Sequence, residues 1–311
     1  MAAARRQLLG LEGLDPHLAA LDSQLRVLED RFAAMETKMH VLESKVADRA
    51  TDEEGPRPPT VTYSGDPALA GYLQRMDEIQ GWLLLVDALI MSGIDSYQRE
   101  HHVRGDLLEI GVYHGKSAIL MGYFHRGPER LVVCDLFMTN GSTEENMHEN
   151  QSYYQGINRS VFEDNYRLFH TELPTILAKP SSAISDLEPQ SFRLVHVDGS
   201  HVYEIVREDL HNTHRLLCDG GIVIIDDWRT GHTPGVAAAT WDAILHDGLA
   251  PICFTDQKLY GTWTPSRAPS REEIQRWTQA SPSMNIETVR LLDRDVHWVV
   301  DGPVPIDTFG T

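Results

Sequence analysis

Between Arg104 and Trp263, short apolar runs alternate with amphipathic helical stretches, and this alternation constrains the fold more than any other feature. The runs DLLEIGV, RLVVCDLF, FRLVHVDG, GGIVIIDDW and PICFTD have the length and β-branched content of buried strands. SAILMGYFHR and YEIVREDLHNTHRLL, which lie between them, have helical periodicity. Strands that alternate with helices argue for an α/β fold with a mainly parallel sheet and helices on both faces. In such sheets ligands bind beyond the carboxyl ends of the strands, so the chemistry is expected just after each apolar run.

Polar residues suited to that role follow the runs. The first ends in Glu109-Ile110-Gly111-Val112-Tyr113-His114-Gly115-Lys116-Ser117, a glycine loop leading into a helix. Gly111 and Gly115 permit a tight turn and a close approach of ligand to backbone amides. Their spacing of four differs from the dinucleotide pattern G-x-G-x-x-G. The second run ends in Asp135, placed to hold the two hydroxyls of a ribose. The third ends in Asp198 with His201 three residues on, and the fourth in Asp226 and Asp227. Three carboxylates at neighbouring strand ends repel one another unless a cation is shared, and an oxygen-rich site suits Mg²⁺ or Mn²⁺. The alternative is that one aspartate of the pair caps a helix and the other is solvated.

Together E-I-G-V-Y-H-G, the acid of VVCDLF, D-G-S-H-V-Y-E and G-G-x-x-x-x-D-D-W resemble class I S-adenosylmethionine-dependent methyltransferases. More narrowly they resemble the metal-dependent, macrocin-type sugar O-methyltransferases and the related cephalosporin-hydroxylase-like group. The resemblance covers roughly residues 104–263. It implies a Rossmann-like, mainly parallel seven-stranded sheet, and S-adenosylmethionine and Mg²⁺ as cofactors. It also implies methyl transfer to a hydroxyl of a sugar or saccharide-containing small molecule.

By the same resemblance Glu109, Gly111, Tyr113, Gly115 and Ser117 would take the methionine part, and Asp135 the ribose. Ser182, in KPSSAISDL, would line the adenine; the acid that often precedes this serine is replaced by Ser181. Asp198 would be catalytic and touch both cofactor and metal, completing a metal set with Asp226 and Asp227. A sugar hydroxyl is a weak acid, so a nearby base is needed. His201 is the candidate base, or else a group that orients Asp198 or Asp226; His232 is a weaker candidate. Two other readings are a cephalosporin-hydroxylase-like enzyme with different chemistry and a coiled-coil scaffold with an inactive domain.

The flanking segments read differently. Leu18, Leu21, Leu25, Leu28, Phe32, Met35, Met39, Leu42 and Val46 alternate spacings of three and four, an a/d seam over residues 15–48. Glu36 and Glu43 at e, and Arg31 and Lys38 at g, would pair between parallel chains, so a homo-oligomer is expected. Residues 49–65, with the GPRPP segment, read as a linker, and 66–103 as a helical lead-in. The methyltransferase-like domain spans 104–264, and 265–311 is a C-terminal extension. The polar stretch between Phe137 and Phe169 reads as a lid, with His148, Tyr153 and Tyr154 facing a polyhydroxylated acceptor.

Lys and Arg total 27 against 46 Asp and Glu, a net charge of −19. A field of that sign disfavours nucleic acid and anionic membrane as partners. Three cysteines, far apart, form neither a zinc spacing nor a disulfide framework, which points to a reducing, cytoplasmic setting. There is no apolar run of transmembrane length.

Overall fold

The computed structural model describes residues 66–137, 158–279, 281 and 283–301. The coiled-coil segment 15–48, the linker, and His148, Tyr153 and Tyr154 lie outside these residues.

Two helices come first, α1 (Pro67–Arg75) and α2 (Leu85–Glu100). Asp66 caps α1 by accepting the Ala68 amide at 2.8 Å, with Pro67 in the first turn. There follow β1 (Asp106–Ile110), α3 (Lys116–Gly122), β2 (Leu131–Cys134), α4 (Arg159–Arg167), β3 (Thr175–Leu177) and β4 (Phe192–Val197). The chain continues through α5 (Tyr203–Leu216), β5 (Leu217–Ile225), α6 (Pro234–His246), β6 (Ala250–Phe254) and β7 (Leu259–Thr262). It ends in α7 (Arg271–Thr278), β8 (Met284–Leu291) and β9 (Arg294–Asp301).

The strands form one sheet in the order β3-β2-β1-β4-β5-β7-β6-β9-β8. β3 through β5 are parallel, with the strand order reversing between β1 and β4 as in Rossmann-like folds. The sheet has nine strands instead of the expected seven, and it is mixed. β7 runs antiparallel between β5 and β6, and the β8–β9 hairpin adds two strands beyond β6. The physical reason is connection length. Only two tight turns separate β6 from β7 and β8 from β9, which forces antiparallel neighbours; a parallel return needs a long crossover.

The strands are buried on both faces, so their side chains alternate between two cores. Leu107, Leu194, Ile222 and Ile224 pack with α1, α2, α3, α4 and α7. Leu108, Ile110, Val195, Val197, Val223 and Ile225 pack with α5 and α6 on the other face. No helix among the described residues is long and apolar enough to cross a membrane.

Helix α2 crosses the first face and is tied down at both ends. At the amino end of the sheet, the fully buried Arg193 guanidinium lies 2.9 Å from Asp95 and donates to Gln98 Oε1 at 2.7 Å. The same side chain donates to the Phe124 carbonyl at 2.8 Å and to Glu129 at 3.2 Å. At the other end Asp87 Oδ1 accepts from Thr255 Oγ1 and Tyr260 Oη, both at 2.8 Å. Removing Arg193 leaves buried Asp95 and Glu129 short of a counter-charge. Arg193→Met should therefore cost about 3 kcal/mol or more in urea denaturation; a loss under about 1 kcal/mol would show that the cluster does not anchor α2.

Candidate active site

Beyond the carboxyl ends of β1, β2, β4 and β5 lies a cavity of about 750 Å³, within the range of small-molecule and cofactor sites. The strand ends are laced together under it. Asp198 N–H donates to the Ile110 carbonyl at 2.8 Å, Gly111 N–H to Cys134 at 2.8 Å, and Asp226 N–H to Val197 at 3.0 Å. This lacing brings Gly111, Asp135, Asp198, Asp226, Asp227 and His201 to the cavity, and Tyr113 and Ser117 line it with them. His232 also lines the cavity.

The glycine loop is built for close contact. Gly111 has φ +79°, and a Cβ there would stand 2.0 Å from the Asp198 carbonyl oxygen. Asp135 clamps the loop from beside it: Oδ2 accepts the Val112 amide at 2.7 Å, and Oδ1 accepts its own neighbour Phe137 N–H at 2.7 Å. Burial pushes the Asp135 carboxyl up, against the pull of these amides. Oδ2 also accepts the Tyr113 amide at 3.4 Å, so Oδ1 is the oxygen that retains a further lone pair. Tyr113 (φ +47°) and Asp227 (φ +54°) hold left-handed backbone at the rim without being glycine, each at a cost of about 1–3 kcal/mol.

Three expected site residues are placed elsewhere. Glu109 is fully buried beneath the cavity and does not line it. Along β1 it shares the parity of Leu107, so its side chain turns into the core under α2, where Oε1 meets His196 Nδ1 at 2.8 Å. Gly115 packs against Phe162, where a Cβ would stand 2.8 Å from the ring, and it does not line the cavity. Ser182 is exposed in a 3₁₀ turn, Ser181–Asp186, and it is Ser181 that faces the cavity.

Two residues that the sequence reading passed over complete the site. Lys258, at the turn into β7, is 1% exposed, and its Nζ bonds Asp226 Oδ2 in a short ion pair. The same Nζ lies 3.3 Å from Nε2 of the buried His196. A buried seam thus runs Glu109–His196–Lys258–Asp226 across β1, β4 and β5. An ammonium can only donate, so His196 Nε2 accepts and Nδ1–H donates to Glu109. Burial and the neighbouring ammonium lower the His196 pKa to about 3, keeping the ring neutral. Burial raises Glu109 to about 8, and it raises Asp198 well above the carboxylate range with the help of Asp226.

Asp227 turns away from this seam toward His201, whose Nε2 is 3.3 Å from Asp227 Oδ2. Burial tends to raise Asp227, but the His201 contact outweighs it and the carboxyl stays below its ordinary value. A carboxylate only accepts, so His201 presents its Nε2 proton to Asp227.

A family model described as a methyltransferase domain matches residues 108–228. Within that span the chain is similar to methyltransferase domains. The match spans the glycine loop, Asp135, Asp198, His201 and the aspartate pair. No curated protein matches the chain. Three solved structures illustrate its likeness to known folds. The O-methyltransferase NovP is 18% identical, over 57% of this chain and 79% of its own, with a TM-score of 0.45. Cofactor-bound Rv0187 from MTB is 16% identical, over 68% and 99%, at 0.46. CalS11, a TDP-rhamnose 3′-O-methyltransferase of calicheamicin biosynthesis, is 19% identical, over 65% and 96%, at 0.38. Similarity at this level assigns no activity.

The site does not present the expected metal set. Asp226 Oδ1 accepts the Asp227 amide at 2.9 Å, and Oδ2 is taken by Lys258. Asp227 is paired with His201. Ligand-type atoms of His196, Asp198 and Asp226 do converge within 4.8 Å of one another, but Lys258 engages two of the three residues. A divalent ion there would stand beside a buried ammonium, and like charges repel strongly where the dielectric is low. The residues do not fit Mg²⁺.

Two outcomes follow for the domain. Gly111→Ala should lower stability by about 3 kcal/mol or more, whereas Gly127→Ala, with φ +56° and open space around it, should cost about 1 kcal/mol. Equal thermal shifts would contradict the close contact. Glu109 is the second case. Because its folded pKa is raised from 4.5 to about 8, the native state holds the extra proton across that window. Its stability therefore falls as pH rises through it. Urea unfolding across this range should show Glu109→Gln gaining on the wild type with rising pH, by on the order of a few kcal/mol. Parallel pH curves would sink the assignment.

Proposed function

We propose that the protein transfers the methyl group of S-adenosylmethionine to a hydroxyl of a sugar or saccharide-bearing small molecule. The observation that carries the reading is one cavity bordered on one side by the Gly111 loop and Asp135, and on the other by the His201–Asp227 pair. The cavity's size and the side-chain-free backbone at Gly111 fit the cofactor. When bound, S-adenosylmethionine supplies a methyl group on a positively charged sulfur.

The chain's residues do the rest. The loop from Gly111 to Ser117 holds the amino-acid end, with Tyr113 and Ser117 at the cavity wall. Asp135 accepts a ribose hydroxyl through the remaining lone pair of Oδ1. Ser181, rather than Ser182, lies on the adenine side. An imidazole takes up a proton near neutral pH, and His201 Nδ1 takes the acceptor hydroxyl's proton as the oxygen–carbon bond forms and the sulfur–carbon bond breaks. Asp227 holds the ring and stabilises the imidazolium that results. Asp198, between the loop and His201, borders both cofactor and acceptor.

A polyhydroxylated acceptor is supported by the cavity's mixed surface. Trp82 and Tyr113, with ring centroids 5.1 Å apart, offer aromatic faces beside the amides of Gln80 and Gln257. Mg²⁺ has no part in the proposal, because Asp226 is committed to Lys258 and Asp227 to His201. Association through residues 15–48 is likewise proposed from the heptad pattern alone.

The test is calorimetric titration with S-adenosylhomocysteine, followed by methyl-transfer assays on saccharide acceptors. His201→Ala should lower kcat by about 10²–10⁴-fold with the S-adenosylhomocysteine affinity nearly unchanged. No binding to the wild type would overturn the cofactor, and an active His201→Ala enzyme would overturn the base.

A further inference from the structure

The acidic cluster at the ends of β4 and β5 already contains a cation. Asp198 and Asp226 face each other there, with Asp87 and Glu109 buried nearby. Lys258 is the one basic side chain among the described residues that the structure buries against them. Two of its three N–H groups are directed to Asp226 Oδ2 and His196 Nε2.

The position of Lys258 is built rather than incidental. Thr255 Oγ1 accepts the Lys258 amide at 2.9 Å, and the Thr255 amide donates to the Lys258 carbonyl at 2.8 Å, closing the turn between β6 and β7. The Thr255 hydroxyl is itself tied to Asp87 on α2. The backbone that carries Lys258 is therefore held from the sheet and from the helix above it. The side chain is 1% exposed, between His196 at 0% and Asp226 at 8%.

We propose that the Lys258 ammonium is the resident cation of the aspartate cluster, holding the place of a divalent ion, so that the site operates without metal. The lone pair of His196 that a metal would need is spent on Lys258, and so is one oxygen of Asp226, whose other oxygen takes a backbone amide. His201 compensates Asp227 separately. The inference rests on the cluster's geometry and not on the acceptor proposed above.

The experiment uses the full chain, stripped with EDTA and dialysed, and titrated with MnCl₂ by calorimetry and by the Mn²⁺ resonance signal. The wild type should bind no stoichiometric Mn²⁺ up to about 1 mM, the weak end for oxygen-rich sites, and its melting temperature should not respond to the ion. Lys258→Met, close in length but uncharged, should free the ligand atoms and tighten Mn²⁺ binding about tenfold or more. Asp226→Asn/Lys258→Met, which removes both charges, should fold and again bind no Mn²⁺. One Mn²⁺ per wild-type chain below about 1 mM would overturn the proposal, whether or not the single variant folds. So would a folded Lys258→Met that binds no better than wild type. S-adenosylhomocysteine titrated into the same EDTA-treated sample separates the two readings: its failure to bind overturns the methyltransfer proposal and leaves the Mn²⁺ result to decide this one.

Discussion

The ion pair between Lys258 and Asp226 holds the centre of this molecule together. Carboxylates at adjacent strand ends are the natural outcome of a parallel sheet that places its chemistry at one edge, and their repulsion has to be met from somewhere. Here it is met from within, by a side chain delivered on an antiparallel strand. Removing either partner would leave an uncompensated charge in a buried place, a situation that costs several kcal/mol in proteins generally. The seam that continues through His196 to Glu109 fixes the protonation pattern under the cavity floor, because a lysine that can only donate dictates which histidine nitrogen accepts.

The architecture explains why the seam and the cavity coexist. The lower end of α2 is riveted by Arg193 and the upper end by Asp87, so the helix lies rigidly over the face that contains Glu109 and His196. The segment just before α2 carries Gln80 and Trp82 to the cavity wall. A residue group that reads as a mere lead-in thus contributes to the ligand-facing surface. Asp87, five residues after Trp82, anchors the helix that follows this segment.

The parts legible in the sequence are those that local pattern determines. Apolar runs marked β1, β2, β4, β5 and β6, and the residues after them do border the cavity. β3, of three residues, is too short to carry a periodic signal, and in β7 a glycine breaks the apolar run LYGT. Glu109 was misplaced because strand parity, not sequence distance from the glycine loop, decides which way a side chain points. Ser182 missed by a single position, inside a 3₁₀ turn whose rotation per residue the motif does not encode. Lys258 and His196 had no local signature at all. One sits inside an apolar run and the other in a turn, and only the reversal of β7 brings them together.

That reversal and the hairpin after it also bear on how the sheet ends. β6 is wholly buried and apolar along its length, and without a neighbour it would offer a bare ladder of amides and carbonyls to any passing chain. β9 covers it, and β8 becomes the new border. β8 alternates Glu287 and Arg290 with its apolar residues and is largely exposed. Charged side chains on a border strand discourage edge-to-edge pairing. The C-terminal hairpin thus acts as a guard against self-templated aggregation, a service to the whole sheet performed far from the cavity.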